Sequence, residues 1–207
     1  MRLKPGRPQL ADYQRHGDLP AAAAGSPLTI TWAGVATPGT PITLGAFDIT
    51  LIEGSHCPPD RYPGMISAPV TPPVRTSAYR CGEAWSMLAH HRPTDRRALI
   101  VGSAGFVPGA LAGRRAEVAY LGIGQLGLQS EDYIAEYWHE TVATVGARHV
   151  VLIHWDDFFR PLDQPLRALP YASDDLDASM RVLRALAAQD DVTLHLPTLW
   201  QPTDPWP

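Results

Sequence analysis

Three polar residues stand directly behind segments that read as strands in this chain: His56 after DITLIEGS, Ser103 after the apolar run ALIVG and His154 after the apolar run VVLI. Short continuous apolar runs read as strands buried on both faces. The ends of such strands are where a rigid scaffold presents ligands and catalysts to solvent. Imidazole is the commonest metal ligand, and a nearby carboxylate orients it through its second nitrogen. Asp156 and Asp157, in the HWDDF segment that opens with His154, stand where such a carboxylate is needed. The chemistry these residues point to is binding of a metal ion at one end of a sheet. Each has a plainer reading too. A histidine behind a strand also serves as a hydrogen-bonded loop residue, Asp156 and Asp157 also cap turns, and Ser103 in GSAG fits a tight turn. His90 and His91, ahead of Arg92-Pro93, read as a solvated turn. His16, His139, His149 and His195 have no partner pattern and take no role.

The elements that must position these residues follow from hydrophobic periodicity. Residues 98–101, 118–123 and 150–153 are the continuous apolar runs. Over residues 130–145, Tyr133, Ile134, Tyr137, Trp138, Thr141, Val142 and Val145 recur at helical spacing. Ser130 with Asp132 caps the start of that helix and Gly146 stops it. Residues 174–188 repeat the pattern through Leu176, Met180, Leu183 and Leu186, and a short strand follows at 192–196. Ahead of this alternating half the chain is β-rich. LTITW at 28–32 reads as a strand, and residues 41–54 as two short strands bent at Leu44-Gly45-Ala46. Residues 77–80 and 84–90 read as a hairpin around Cys81-Gly82-Glu83. Residues 1–27 read as irregular or weakly helical. The order predicts one α/β (α+β) domain over residues 1–207, a β-rich layer packed against the alternating strands with helices outside.

Composition narrows the function classes. Hydrophobic residues at 45% and charged residues at 18% suit a globular chain and are too apolar for disorder. A net charge of -4 gives no basic footprint, which excludes nucleic acid as the expected partner. No apolar run approaches the ~18 residues of a membrane helix, and the basic start has no apolar stretch behind it. The expected compartment is cytoplasmic, with no membrane association. Cys57 and Cys81 are too few for a disulfide framework and form no CxxC pair.

Six prolines fall within residues 57–76, immediately behind His56. Proline lacks the N–H that a helix or central strand requires, so this segment is a long loop. Restricted φ lowers the entropy lost on ordering, which predicts a fixed wall beside the site. Tyr62, Met65 and Ile66 give it apolar surface, and Asp60, Arg61 and Arg75 offer charge to a substrate. The alternative is a segment that merely covers the sheet.

Taken in order, GAFDITLIEGSH, a strand hairpin, RALIVGSAGF, AEVAYLGIG, a helix and VVLIHWDDF resemble the second half of hydrolases of the metallo-β-lactamase superfamily, over residues 28–160. HWDDF behind its apolar strand is the most specific of these segments. The resemblance implies an αββα sandwich with zinc or another divalent ion at the sheet ends. His56 matches a strand-end metal ligand of the family, and His154 the ligand at the end of its final strand. Gly102-Ser103-Ala104 stands where a G-D-T segment supplies the aspartate that bridges two metals. Two departures accompany the match. The family's HxHxDH motif occurs nowhere in the sequence, and its place lies ahead of the matched region, so an N-terminally incomplete sandwich is expected. Ser103 is neutral and cannot replace a carboxylate between two cations. Two matched histidines are one short of the three that hold a catalytic zinc with its water, so zinc is expected to be weakly held or absent.

The function implied is hydrolysis: a metal-bound water, its pKa lowered to about 7, attacking an ester, amide, thioester or phosphoester of a small molecule. The alternatives are a fold remnant that binds a small molecule or partner without catalysis, and a half-enzyme completed by a second chain. In the absence of the first half, an uncovered sheet edge or face favours a homodimer or a complementing N-terminal half.

Overall fold

The computed structural model describes residues 37–206, together with two short paired strands nearer the N-terminus. The chain divides into two compact units, Met1–Thr37 and Pro38–Pro207. In the first, β1 (Asp18–Leu19) pairs antiparallel with β2 (Leu28–Thr29). The strand expected over 28–32 is present at those first two residues; its remainder, and the expected irregular segment 1–27 apart from β1, lie outside the described residues.

The second unit is built on one mixed sheet of seven strands, whose order follows the chain. They are β3 (Ile42–Leu44), β4 (Phe47–Gly54), β5 (Ala84–His91), β6 (Arg96–Val101), β7 (Val118–Gly122), β8 (His149–Ile153) and β9 (Thr193–His195). Strands β3 to β6 pair antiparallel, and β6 to β9 parallel. A parallel pair needs a crossover. Helix α1 (Glu131–Trp138) supplies it between β7 and β8, and α2 (Leu176–Asp190) between β8 and β9.

Both helices begin where capping chemistry places them. Ser130 Oγ accepts from the Tyr133 N–H at 3.2 Å, and Asp175 Oδ1 from the Ala178 N–H at 3.0 Å. The predicted helix over 130–145 is α-helical only to Trp138 and continues as a π-turn, His139–Ala143. There the Thr141 hydroxyl donates to the Tyr137 carbonyl, and the Thr144 N–H reaches back to His139 O. Hydroxyl-to-carbonyl bonds of this kind compete with the regular ladder. Indole Nε1 of Trp138 donates to Asp190 Oδ2 at 2.7 Å and fastens α1 to the end of α2.

Two expectations about the β-rich half need correction. Residues 77–80 and 84–90 form no hairpin: Thr76–Ala78 is a single 3-10 turn, and β5 pairs instead with β4 and β6. The segment before β5 is held by the proline loop, since the Cys81 N–H donates to Tyr62 O and the Gly82 N–H to Gly64 O. Nor are β3 to β5 a layer stacked on the alternating strands; they extend the same sheet edge to edge. The bend expected at residues 44–46 is present as the β3–β4 turn, with Gly45 at φ 57°.

The helices cover one face of this sheet. On it Leu88, Leu99, Ala119, Leu121, Val150 and Leu152 are buried in the main core with Ile134, Tyr137 and Trp138. On the other face Ala98, Val118 and Val151 form a second, smaller cluster, onto which Trp206 packs. Among the described residues no helix is long and apolar enough to cross a membrane.

Candidate functional site

Strand direction brings the predicted residues to one edge of the sheet. β5 runs antiparallel to both β4 and β6, so β4 points the same way as β6, β7 and β8. His56 follows β4, Ser103 follows β6, Gly124 follows β7 and His154 follows β8. All four therefore emerge at the carboxyl ends of co-directed strands, where open α/β sheets bind ligands. His56, Ser103, Gly124 and His154 line a single cleft of about 610 Å³, together with Arg61, Cys57 and Cys81. His56 also borders a smaller recess of about 220 Å³ on the β4–β5 side.

Close backbone approaches set the floor. A Cβ on Gly105 would lie 2.2 Å from His56 O, so only glycine lets the turn after β6 reach the turn after β4. On Gly124 it would lie 2.6 Å from His154 O and 3.3 Å from the His154 ring carbon Cδ2. His154 has φ 57°, a left-handed conformation uncommon outside glycine, and its side chain is exposed. Hydrogen bonds tie the turns together. The Cys57 N–H donates to Ser103 Oγ at 3.0 Å, and Ser55 Oγ donates to Phe106 O at 3.1 Å. From α1, Tyr137 OH donates to Gly122 O at 2.7 Å and Tyr133 OH to Ala104 O at 3.0 Å.

Behind the cleft lies a buried polar cluster that sequence reasoning missed. The Asp174 carboxylate accepts from the Gln125 N–H at 2.8 Å and the Gly127 N–H at 3.3 Å. Burial raises its pKa, while the two amides oppose the rise. Gln129 Nε2 donates to Pro58 O at 2.6 Å, linking the approach to α1 with the proline loop. The Cys57 thiol is pushed up to about 11 by burial and then by the Asp174 carboxylate, which disfavours its thiolate at neutral pH. Cys57 and Cys81 are both free.

The remaining predicted residues take separate places. Arg61 lines the cleft; Tyr62 is exposed at φ 62° and is not part of the lining. Asp157 Oδ1 accepts from the Phe159 N–H at 3.1 Å, which is turn-capping, and Asp156 sits in an isolated bridge to Ala168. His90 is half-buried, and its Nε2 is hydrogen-bonded with Asp95 Oδ1 at 2.8 Å. His90 lies at the end of β5 and Asp95 in the turn before β6, at the end of the sheet opposite the cleft.

A divalent ion has a partial match in these residues. Nε2 of His56 is buried without a hydrogen-bond partner. An unpaired buried nitrogen is costly, and a ligand atom would satisfy it. Against this, Ser103 Oγ already accepts from the Cys57 N–H and carries no charge. Among the described residues no group of three or more His, Cys, Asp and Glu side chains is placed to hold a metal ion. Two imidazoles and a hydroxyl do not fit a catalytic zinc on their own.

No protein-family model matches the chain, and no curated protein matches it. Among solved structures, it is similar to the metallo-β-lactamase-fold protein YhfI from Bacillus subtilis, with TM-score 0.44 and 12% identity over 92% of this chain and 59% of that one. It is also similar to unliganded yeast PDE1, with TM-score 0.41 and 10% identity over 78% and 47% of the two chains. The chain thus spans less than two thirds of the length of either structure.

Proposed function

We propose that the cleft is the substrate side of a hydrolase site of the metallo-β-lactamase superfamily, with His56 and His154 facing the hydrolytic centre. In this reading the chain is an incomplete αββα sandwich. Hydrolysis requires further ligands that the described residues do not supply, as a complementing chain would. The observation that carries it is the buried, partnerless Nε2 of His56 on a cleft shared with Ser103 and His154. Three strand ends far apart in sequence converge there, in the order that the sequence resemblance implies. The residues' own work is positional. Gly105 and Gly124 let the turns approach closely, Tyr133 and Tyr137 hold the strand-end carbonyls, and Arg61 lines the wall against which a substrate would be oriented.

A second reading has its own support. Where the resemblance expects a bridging carboxylate, Ser103 accepts a backbone N–H. That favours a cleft which binds a small molecule without hydrolysing it. Fold analogy does not decide between the two. Zinc titration of the 207-residue chain, of His56→Ala and of His154→Ala tests the first. We expect weak uptake, lost to a mild chelator and abolished by either substitution. Uptake unchanged in both variants would remove the histidines from any metal site and leave the second reading.

A further inference from the structure

We infer that Phe158 and Phe159 form a recognition shelf for a planar aromatic group on the small molecule that this cleft takes; this rests on reading the cleft as a ligand site. The two rings lie against one another with centroids 4.5 Å apart and planes tilted by 39°, and Phe158 reaches the His154 ring at 6.2 Å with a tilt of 46°. Both line the cleft, yet Phe158 is 60% exposed and Phe159 81% exposed. Water gains nothing from two phenyl faces, and large exposed aromatics beside a cavity mark binding surfaces.

The segment that carries the rings is braced along its backbone. Asp157 Oδ1 accepts from the Phe159 N–H, the Asp157 N–H donates to Arg167 O at 2.7 Å, and the Arg160 N–H to Asp157 O at 3.0 Å. Asp156 bridges Ala168 on the returning segment. This bracing fixes the backbone that carries Phe158 and Phe159 beside the cleft, with Leu169 and Ala172 continuing an apolar wall. Charge gives the cleft little selectivity, because Arg61 is offset by its neighbour Asp60 on the same wall. Aromatic stacking is left as the discriminating contact, and the buried, partnerless Nε2 of His56 on the same wall is the nitrogen that a carbonyl or carboxyl head would satisfy. The volume, about 610 Å³, is in the range of small-molecule pockets.

The probe is 2-naphthoate, followed by its fluorescence, with butyrate as a competitor that has the same head and no ring. We expect saturable binding of naphthoate, with butyrate at least about tenfold weaker, the size of a single ring-stacking contact. The double variant Phe158→Ala/Phe159→Ala should erase that preference while its far-UV circular dichroism and melting temperature stay at the wild-type values, since both rings are largely exposed. His56→Ala should weaken both carboxylates alike. If the double variant binds naphthoate as tightly as wild type while His56→Ala does not, the shelf is refuted and the cleft reading stands. If neither substitution changes binding, or naphthoate fails to saturate, both are overturned. A change in sedimentation of the double variant without a change in naphthoate binding would assign the rings to a protein contact instead, which also overturns the proposal.

Discussion

Gly124 shows how tightly His154 is seated: the histidine carbonyl and ring both crowd the position a methyl group would take. Gly124→Ala should destabilise the fold by about 1–3 kcal/mol, the usual penalty of overpacking. It should also shift the His154 ring resonances, because the methyl group displaces the left-handed turn. An unchanged denaturant midpoint would contradict the close approach. Cys57 offers a titration. Its thiol pKa is raised in the native state, so the unfolded chain loses that proton first as pH climbs. Between the ordinary thiol range and about 11 the native state binds more protons, and stability falls with rising pH across that window. Cys57→Ser should flatten the slope there, and an alkylating reagent should modify exposed Cys81 well before buried Cys57. Equal slopes in the two proteins would mean that Cys57 is not held protonated. His56, Ser103 and His154 are legible in the sequence because each stands just behind a segment that reads as a strand. Asp174 is not, because its partners are backbone N–H groups at Gln125 and Gly127, 49 and 47 residues away. No side-chain pattern announces such a contact. Asp156 and Asp157 show the converse: their types suit support of a metal ligand, while the geometry gives Asp157 to its own turn.

Helix α1 acts on the site through two phenols. Tyr137, fully buried, gives its single proton to Gly122 O at 2.7 Å, and the Ser103 carbonyl lies farther off at 3.3 Å. Tyr137→Phe leaves a buried carbonyl unpaired and should cost about 1–3 kcal/mol. Tyr133 is only half-buried and its bond to Ala104 O is longer, at 3.0 Å, so Tyr133→Phe should cost less, about 0.5–1.5 kcal/mol. Guanidinium melts of the two variants check the ranking, and an inverted order would show that the Gly122 contact does not anchor the helix. The helix itself is legible from its apolar spacing and from Ser130 at its start. Its change to a π-turn is not, since that depends on which carbonyl each threonine hydroxyl finds. The strand pairing of residues 84–91 is likewise hidden. A turn-rich segment such as Cys81-Gly82-Glu83 suggests a local hairpin, but the segment before it is bound to the proline loop at Tyr62 and Gly64. β5 is then free to pair with β4 on one side and β6 on the other.

At the scale of the whole sheet, the two faces are unequal, and alternation along the strands makes the inequality visible. Helices bury Leu99, Leu121, Val150 and Leu152 completely or nearly so. The opposite face presents Ile49, Leu51, Met87, Ile100, Tyr120 and Ile153, all half-buried and all apolar or aromatic. A sheet with one solvated face normally alternates apolar with polar residues; this one is apolar on both. The pattern is that of a sheet sandwiched between two layers, and the sequence carries it as the continuous apolar runs of β6, β7 and β8. Half-exposed apolar faces of this breadth promote association. The 207-residue chain should therefore sediment as species of increasing mass as its concentration rises. Leu51 and Met87 sit directly opposite one another on β4 and β5. Leu51→Lys together with Met87→Glu places an opposite-charge pair across the two strands, an arrangement that sheets tolerate, while breaking the apolar surface. The double variant should remain monomeric at concentrations where the wild type associates, with the same far-UV circular dichroism. Substitution at the exposed helix residue Arg181, on the covered side of the sheet, serves as the control and should leave association unchanged. A wild-type chain that stays monomeric throughout, or a double variant that associates just as strongly, would show that this face is not what drives assembly.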